Sequence, residues 1–220
     1  MIFKNFFLFL KKKIRSLHLN STIYDKKISI FNDSYLKYRP SPNLLDCLIK
    51  YNKKKINIKN YSLVEIWIDQ KIVKKDYDNL NSFFWLFSLD LKSSKRDTQN
   101  IILQWIEKNN RYNSRSWKID IIAKRVIAWI SNSRLTYEDA GPVYRNKFNN
   151  IIKKQINHLI NEIEKDEWVD NKMTGCAAII LAGLSYHDKD GYLNYGLNLL
   201  KKIIKFSFDN TGFPKSRNIR

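Results

Sequence analysis

Trp117-Lys118-Ile119-Asp120-Ile121-Ile122-Ala123-Lys124-Arg125-Val126-Ile127-Ala128-Trp129-Ile130-Ser131 carries its apolar residues at a period near that of an α-helix. Ile121, Ile122, Val126, Trp129 and Ile130 share one face with a single cation, Arg125. That spacing specifies a helix with one buried side, and the same pattern continues in both directions. Upstream, Lys95 to Asn109 sets Ile101, Ile102, Trp105 and Ile106 on one face and ends at Asn109-Asn110, residue types that tolerate a left-handed cap. Ser82 to Leu91 is almost wholly apolar and reads as a short buried helix or turn. Downstream, Gly141-Pro142 suits a first helical turn, and Val143 to Lys165 carries Phe148, Ile151, Ile152, Ile156, Leu159, Ile160 and Ile163. Thr174 to Tyr186 is small and apolar, as in a helix buried on most sides. Asp190 to Phe206 turns Leu193, Leu197, Leu200, Ile203 and Ile204 inward. Short connections make successive helices antiparallel. The expected fold is mainly α, an incomplete α/α toroid of unequal antiparallel hairpins over residues 77–220. No repeat of fixed length is visible, which disfavours a regular TPR or ankyrin array.

Residues 1–76 read differently. Tyr38-Arg39-Pro40-Ser41-Pro42 is an extended or turn segment. Ser62 to Val73 alternates around Leu63, Ile66, Ile68 and Ile72, as a short strand or hairpin does. From Met1 to Leu10 the chain is largely Phe, Ile and Leu, and Lys11-Lys12-Lys13-Ile14-Arg15 follows. A cleavable secretory signal has its basic residues first and small residues at a cleavage site, the reverse of this order. The apolar run also falls short of the roughly 20 residues that span a bilayer. An ordinary helix docking on the domain is the favoured reading of residues 1–15; an amphipathic helix lying on an anionic membrane surface is the other.

Composition bounds the function. With 220 residues, 44% hydrophobic content and only 6 Gly and 4 Pro, the chain can bury a sizeable core. Forty Lys and Arg against 21 Asp and Glu give a net charge of +19, which draws polyanions: nucleic acid, anionic lipid or acidic polysaccharide. The chain has no zinc-finger spacing, RNP string or basic zipper, and its Lys residues are spread out, so nucleic acid is disfavoured. Cys47 and Cys176 are far apart without CxxC companions, so neither a zinc site nor a disulfide framework is expected; each reads as a small buried side chain. No metal-ligand cluster and no cofactor signature appear.

Trp85-Leu86-Phe87-Ser88-Leu89, Trp105-Ile106, Ser116-Trp117 to Asp120, Ala123-Lys124-Arg125-Val126-Ile127-Ala128-Trp129, Gln155 to Leu159, Ala182-Gly183-Leu184 and Gly212-Phe213-Pro214-Lys215-Ser216-Arg217-Asn218 occur in that order. As an ordered set, from about Ser41 to Arg220, they resemble the helical domain of heparinase II/III-like polysaccharide lyases. Where that family often has Gly-Gly-His before its Ser-Arg-Asn step, this chain has Gly212-Phe213-Pro214-Lys215 and no histidine. The resemblance implies an N-terminal helical toroid followed by a C-terminal β-sandwich domain of the same polypeptide, and a setting that is often periplasmic. The chain is then expected to continue beyond Arg220.

The resemblance also implies a chemistry, β-elimination from a uronate-containing polysaccharide. Taking a proton from the carbon beside a carboxylate adds negative charge to it, so the site must supply positioned donors. Arg217 and Asn218 are those residue types: a guanidinium grips a carboxylate bidentately, and an amide donates without titrating. They are the catalytic candidates, with Lys215, Arg115 and Trp117 as substrate-binding candidates. Trp117 follows the polar loop from Asn109 to Ser116 and is expected at a rim, whereas Trp85, Trp105 and Trp129 read as core. The general base and acid, usually a Tyr and a His, are implied to lie further along the chain. His158 reads as a packed histidine and His187 as a helix-end residue near Asp188. Arg125, a cation on an apolar face, either pairs with a buried acid such as Asp120 or points into the cavity, and pairing is the favoured reading.

Overall fold

The computed structural model describes residues 2–30, 35–37, 74–88, 95–186 and 191–215, and these are mainly helical, with no strand among them. The α-helices are α1 (Ile2–Leu19), α2 (Thr22–Ile28), α3 (Lys74–Ser82), α4 (Lys95–Asn109), α5 (Ile119–Ser131), α6 (Ser133–Thr136), α7 (Pro142–Glu162), α8 (Val169–Tyr186) and α9 (Tyr192–Ser207). Short 3-10 turns follow α3, at Phe84–Ser88, and α7, at Ile163–Lys165. The strand expected over Ser62 to Val73 lies outside the described residues.

α5 is the centre of the fold. Eleven of its 13 residues are buried, because α3, α7 and α8 cover it from different sides. Its apolar content is dense enough that the driving force comes from burial rather than propensity, since its many β-branched residues are mediocre helix formers. Phe83 enters the left-handed region at φ 54° to turn the chain between α3 and the 3-10 turn. That turn sets its ring edge-on against Trp129 at 5.1 Å and Trp105 at 6.0 Å, and the two indoles meet edge to face at 5.5 Å. Such pairs add to the area they bury. Leu19, Tyr24, Ile28 and Leu36 belong to the same buried cluster as the helices beyond Tyr77.

α8 and α9 form a close hairpin. A Cβ on Gly183 would approach Leu193, and one on Gly196 would approach Ile179 and Ile180, so rising residue numbers on one helix meet falling ones on the other. The helices run antiparallel with glycine at both near contacts. At Gly183 the obstacle is backbone: an added Cβ would lie 2.6 Å from the Leu193 nitrogen and 2.9 Å from its Cα. Gly183→Ala must therefore pry the helices apart, and a cost of roughly 2–3 kcal/mol is expected. Gly141→Ala, with nothing within 4 Å, serves as the control. Urea midpoints of the two variants test this; equal midpoints would refute the close approach.

Two expectations are corrected. α1 does not lay its apolar side on the domain: Phe6, Phe7, Leu8, Phe9, Leu10, Ile14 and Leu17 are all exposed, and the domain holds the helix at its end through buried Leu19 and the Arg15 to Glu162 ion pair. α8 begins at Val169 rather than Thr174, its polar first turns Asp170-Asn171-Lys172 having hidden the start. The Asp166 carboxylate accepts from the Trp168 N–H and from Asn171 just ahead of the helix.

Candidate functional site

Arg125 is fully buried and is not paired with Asp120. Five positions on a helix turn a side chain by about 140°, so Asp120 faces elsewhere and meets Lys124 one turn on, at 3.9 Å. The Arg125 guanidinium instead donates to the carbonyl oxygens of Asn81 at 2.8 Å and Ser116 at 3.1 Å, and to Gln155 Oε1 at 3.0 Å. It stacks 4.0 Å from the centre of the Trp105 ring. Burial pushes its pKa down; carbonyl dipoles and an indole face, not a carboxylate, compensate the charge. The same knot includes Trp105 Nε1 donating to Asn81 Oδ1 at 2.9 Å and the Ser116 hydroxyl donating to Asn109 Oδ1 at 3.0 Å. Four positions of the resemblance pattern, Trp105, Ser116, Arg125 and Gln155, are thus bonded into one core network.

Trp117 is in that core as well, which corrects its expected place at a rim. It is 1% exposed, and its indole N–H donates to the Asn109 carbonyl at 3.0 Å. The polar loop before it folds back, with Asn113 Oδ1 accepting from the Arg115 and Ser116 N–H groups, and this swings Trp117 inward. A buried indole offers no face to a sugar. Trp168, just ahead of α8, is 53% exposed and presents an indole face that the sequence reading did not single out.

His158 is a core histidine. Its Nδ1 lies 2.8 Å from the Tyr24 hydroxyl, and its ring meets Trp117 edge to face at 5.3 Å. Burial pushes its pKa down to about 4, against a partial upward pull from Glu162 and a backbone hydrogen bond with Trp117. Tyr24 and His158 make a close Tyr–His pair, yet they are only 1% and 2% exposed, so neither offers its polar atoms to a substrate. The pair therefore belongs to the core. Glu162 stands beside it; burial raises its pKa, but hydrogen bonds from Lys165 and Arg15 outweigh that and hold it low.

This geometry gives a pH dependence. Unfolded, His158 binds a proton near 6.5; folded, it does so only near 4. Between those values the unfolded chain holds more protons, so the stabilisation is complete above pH 6.5 and is lost as pH falls toward 4. The loss from this group is roughly 3 kcal/mol. Glu162, with its lowered pKa, loses stability in the same direction. Urea midpoints should fall steeply between pH 7 and pH 4.5, less so in His158→Gln, and equal slopes for the two chains would contradict the assignment.

Of the substrate-binding candidates, Arg115 is half-buried with its guanidinium 4.0 Å over the Tyr77 ring. Lys215 is exposed and its ammonium donates to the Lys205 carbonyl at 2.9 Å, near the α9 C-terminus. The turn before it is closely tied. The Asp209 carboxylate accepts from the Thr211 N–H and hydroxyl and from the Phe213 N–H, at 2.7 to 2.9 Å, and Gly212 adopts φ 84°. Those hydrogen bonds, Thr211 first, hold the Asp209 pKa below its usual range. The Lys215 N–H donates to the Ser207 carbonyl at 2.8 Å, closing the turn. Arg217 and Asn218 follow two and three residues later, and they and His187 lie outside the described residues.

A second feature has the right charge for an anion. α7 opens at Pro142 with Gly141 as an N-cap that has no side chain to give, leaving the positive end of a 21-residue helix uncapped. A groove of about 910 Å³ there is lined by Tyr35, Tyr137, Arg145, Asn146 and Lys147. Arg145 lies 5.2 Å over the Tyr137 ring, and its buried Nε has no hydrogen-bond partner among the described residues. Among the described residues there is no cluster of three His, Cys, Asp or Glu suited to a metal ion. Cys176 is buried, its thiol pushed up to about 11 by desolvation.

Compared with known proteins, the chain matches no family model, no curated protein and no solved structure.

Proposed function

We propose that this chain is the helical part, an incomplete α/α toroid, of a heparinase II/III-like lyase that cleaves an acidic, uronate-containing polysaccharide by β-elimination. The observation that carries the reading is the ordered residue set ending in Ser216-Arg217-Asn218, which follows the hydrogen-bonded Asp209–Lys215 turn in the sequence. In the proposed reaction Arg217 and Asn218 bind the uronate carboxylate. A base takes the proton from the carbon beside it, that electron pair becomes the carbon–carbon double bond, and the glycosidic oxygen departs with a proton from the acid. Base and acid come from the same polypeptide beyond Arg220, as does a β-sandwich domain. The test is the appearance of unsaturated uronate when the natural polypeptide meets uronate polysaccharides.

A second reading is a noncatalytic binder of polyanions, acidic polysaccharide or nucleic acid. It is favoured by the net charge of +19 and by the groove at the uncapped start of α7, which includes Arg145 and Lys147. On that reading heparin-like chains are retained without cleavage, and a steep salt slope on duplex DNA with no competition by uronates identifies nucleic acid as the ligand.

A further inference from the structure

α1 carries a stripe of large apolar side chains at Phe6, Phe7, Leu10, Ile14 and Leu17, spacings of one, three, four and three that fall on one face of a helix. All five are exposed; Phe7 and Leu17 are each 66% exposed. Arg15, whose guanidinium reaches Glu162, points well away from the stripe's midline, so the contact that fixes the helix to the domain turns the stripe outward. Lys11 and Lys13 flank it, Lys12 and Arg15 lie toward the opposite side, and between Ile2 and Leu19 the sequence holds no Asp or Glu. Among the described residues no helix is long and apolar enough to cross a membrane.

Three occupants are conceivable for such a stripe: a second copy of the chain, a further part of the polypeptide, or a lipid surface. The charge pattern favours the lipid surface. A second copy would set two acid-free cationic helices side by side on a protein already at +19, a like-charge juxtaposition that opposes association. An anionic bilayer satisfies both halves of the pattern, because phenylalanine and leucine enter the acyl boundary while the lysine stems keep their ammonium groups among the headgroups. A helix of 18 residues lying in the plane presents about 27 Å of such contact.

We propose that α1 is a membrane-surface anchor that seats the helical domain on an anionic leaflet, lying in the interface plane rather than spanning it. This inference is independent of the lyase reading. The experiment is co-sedimentation of the full chain with vesicles of phosphatidylcholine alone and of phosphatidylcholine mixed with phosphatidylglycerol, at low and high salt. Binding is expected to be at least about tenfold stronger on the anionic vesicles and to weaken with salt. The double variant Phe7→Glu with Leu10→Glu should lose about tenfold or more. The triple variant Lys11→Gln, Lys12→Gln, Lys13→Gln, which leaves the apolar groups intact, should remove the preference for phosphatidylglycerol. Both alter exposed positions, and an unchanged circular dichroism spectrum verifies the fold. Equal binding to both vesicle types, unchanged binding of the double variant, or a stable dimer in solution that ignores vesicles would each overturn the proposal.

Discussion

Arg125→Ala is expected to lower folding stability by about 4 kcal/mol, most of the total if that total lies near the low end of the ordinary range, about 5 kcal/mol. The change strips the Asn81 and Ser116 carbonyls and Gln155 Oε1 of a fully buried donor. Each orphaned acceptor costs about 1–3 kcal/mol. The cation over the Trp105 ring goes as well, with a cavity left behind. Arg125→Lys keeps the charge but supplies a point donor in place of a planar fork, so an intermediate loss is expected. Urea titration followed by tryptophan fluorescence reports this directly, since Trp105 stacks on the guanidinium and Trp105, Trp117 and Trp129 are all buried. A loss under 1 kcal/mol for Arg125→Ala would mean that the network is not fully formed in solution.

Arg217→Ala is expected to reduce elimination by about 10²–10³-fold, with folding stability unchanged. On the proposed reading Arg217 acts on the substrate and not on the fold, so the two effects separate. On the proposed mechanism the guanidinium meets charge that grows in the transition state, so the loss falls mainly on kcat. Asn218→Ala removes a neutral donor and should cost less than Arg217→Ala. Steady-state kinetics on the natural polypeptide, with a thermal melt beside them, check both; a change confined to KM would assign Arg217 to ground-state binding alone.

The helices were legible because their apolar periodicity is strong, and α4 runs from Lys95 to Asn109 as its pattern specifies. α9 agrees to within two residues at each end. What periodicity could not convey was partner choice. Arg125 on an apolar face implied a buried compensating group, but helix rotation takes Asp120 away, and the partners are carbonyls from distant segments that no side-chain pattern records. Trp117 was misplaced for a related reason. A polar loop before a tryptophan suggests a rim, yet Asn113 folds that loop back on itself and sends the indole to the Asn109 carbonyl. α1 failed differently: its amphipathic pattern was evident, but pattern alone does not say whether the apolar side meets protein. The buried pairing of Tyr24 with His158 joins residues 134 positions apart, and nothing in the local sequence of either announces it.

The most direct test of the lyase reading is the ultraviolet absorbance of unsaturated uronate when the natural polypeptide carrying this chain is incubated with a panel of uronate polysaccharides. The account predicts rising absorbance in step with new reducing ends on at least one of them, and its loss in Arg217→Ala. New reducing ends without absorbance would mean hydrolysis in place of elimination, and retention of every polysaccharide without cleavage would leave a polyanion-binding protein; either result contradicts the lyase assignment.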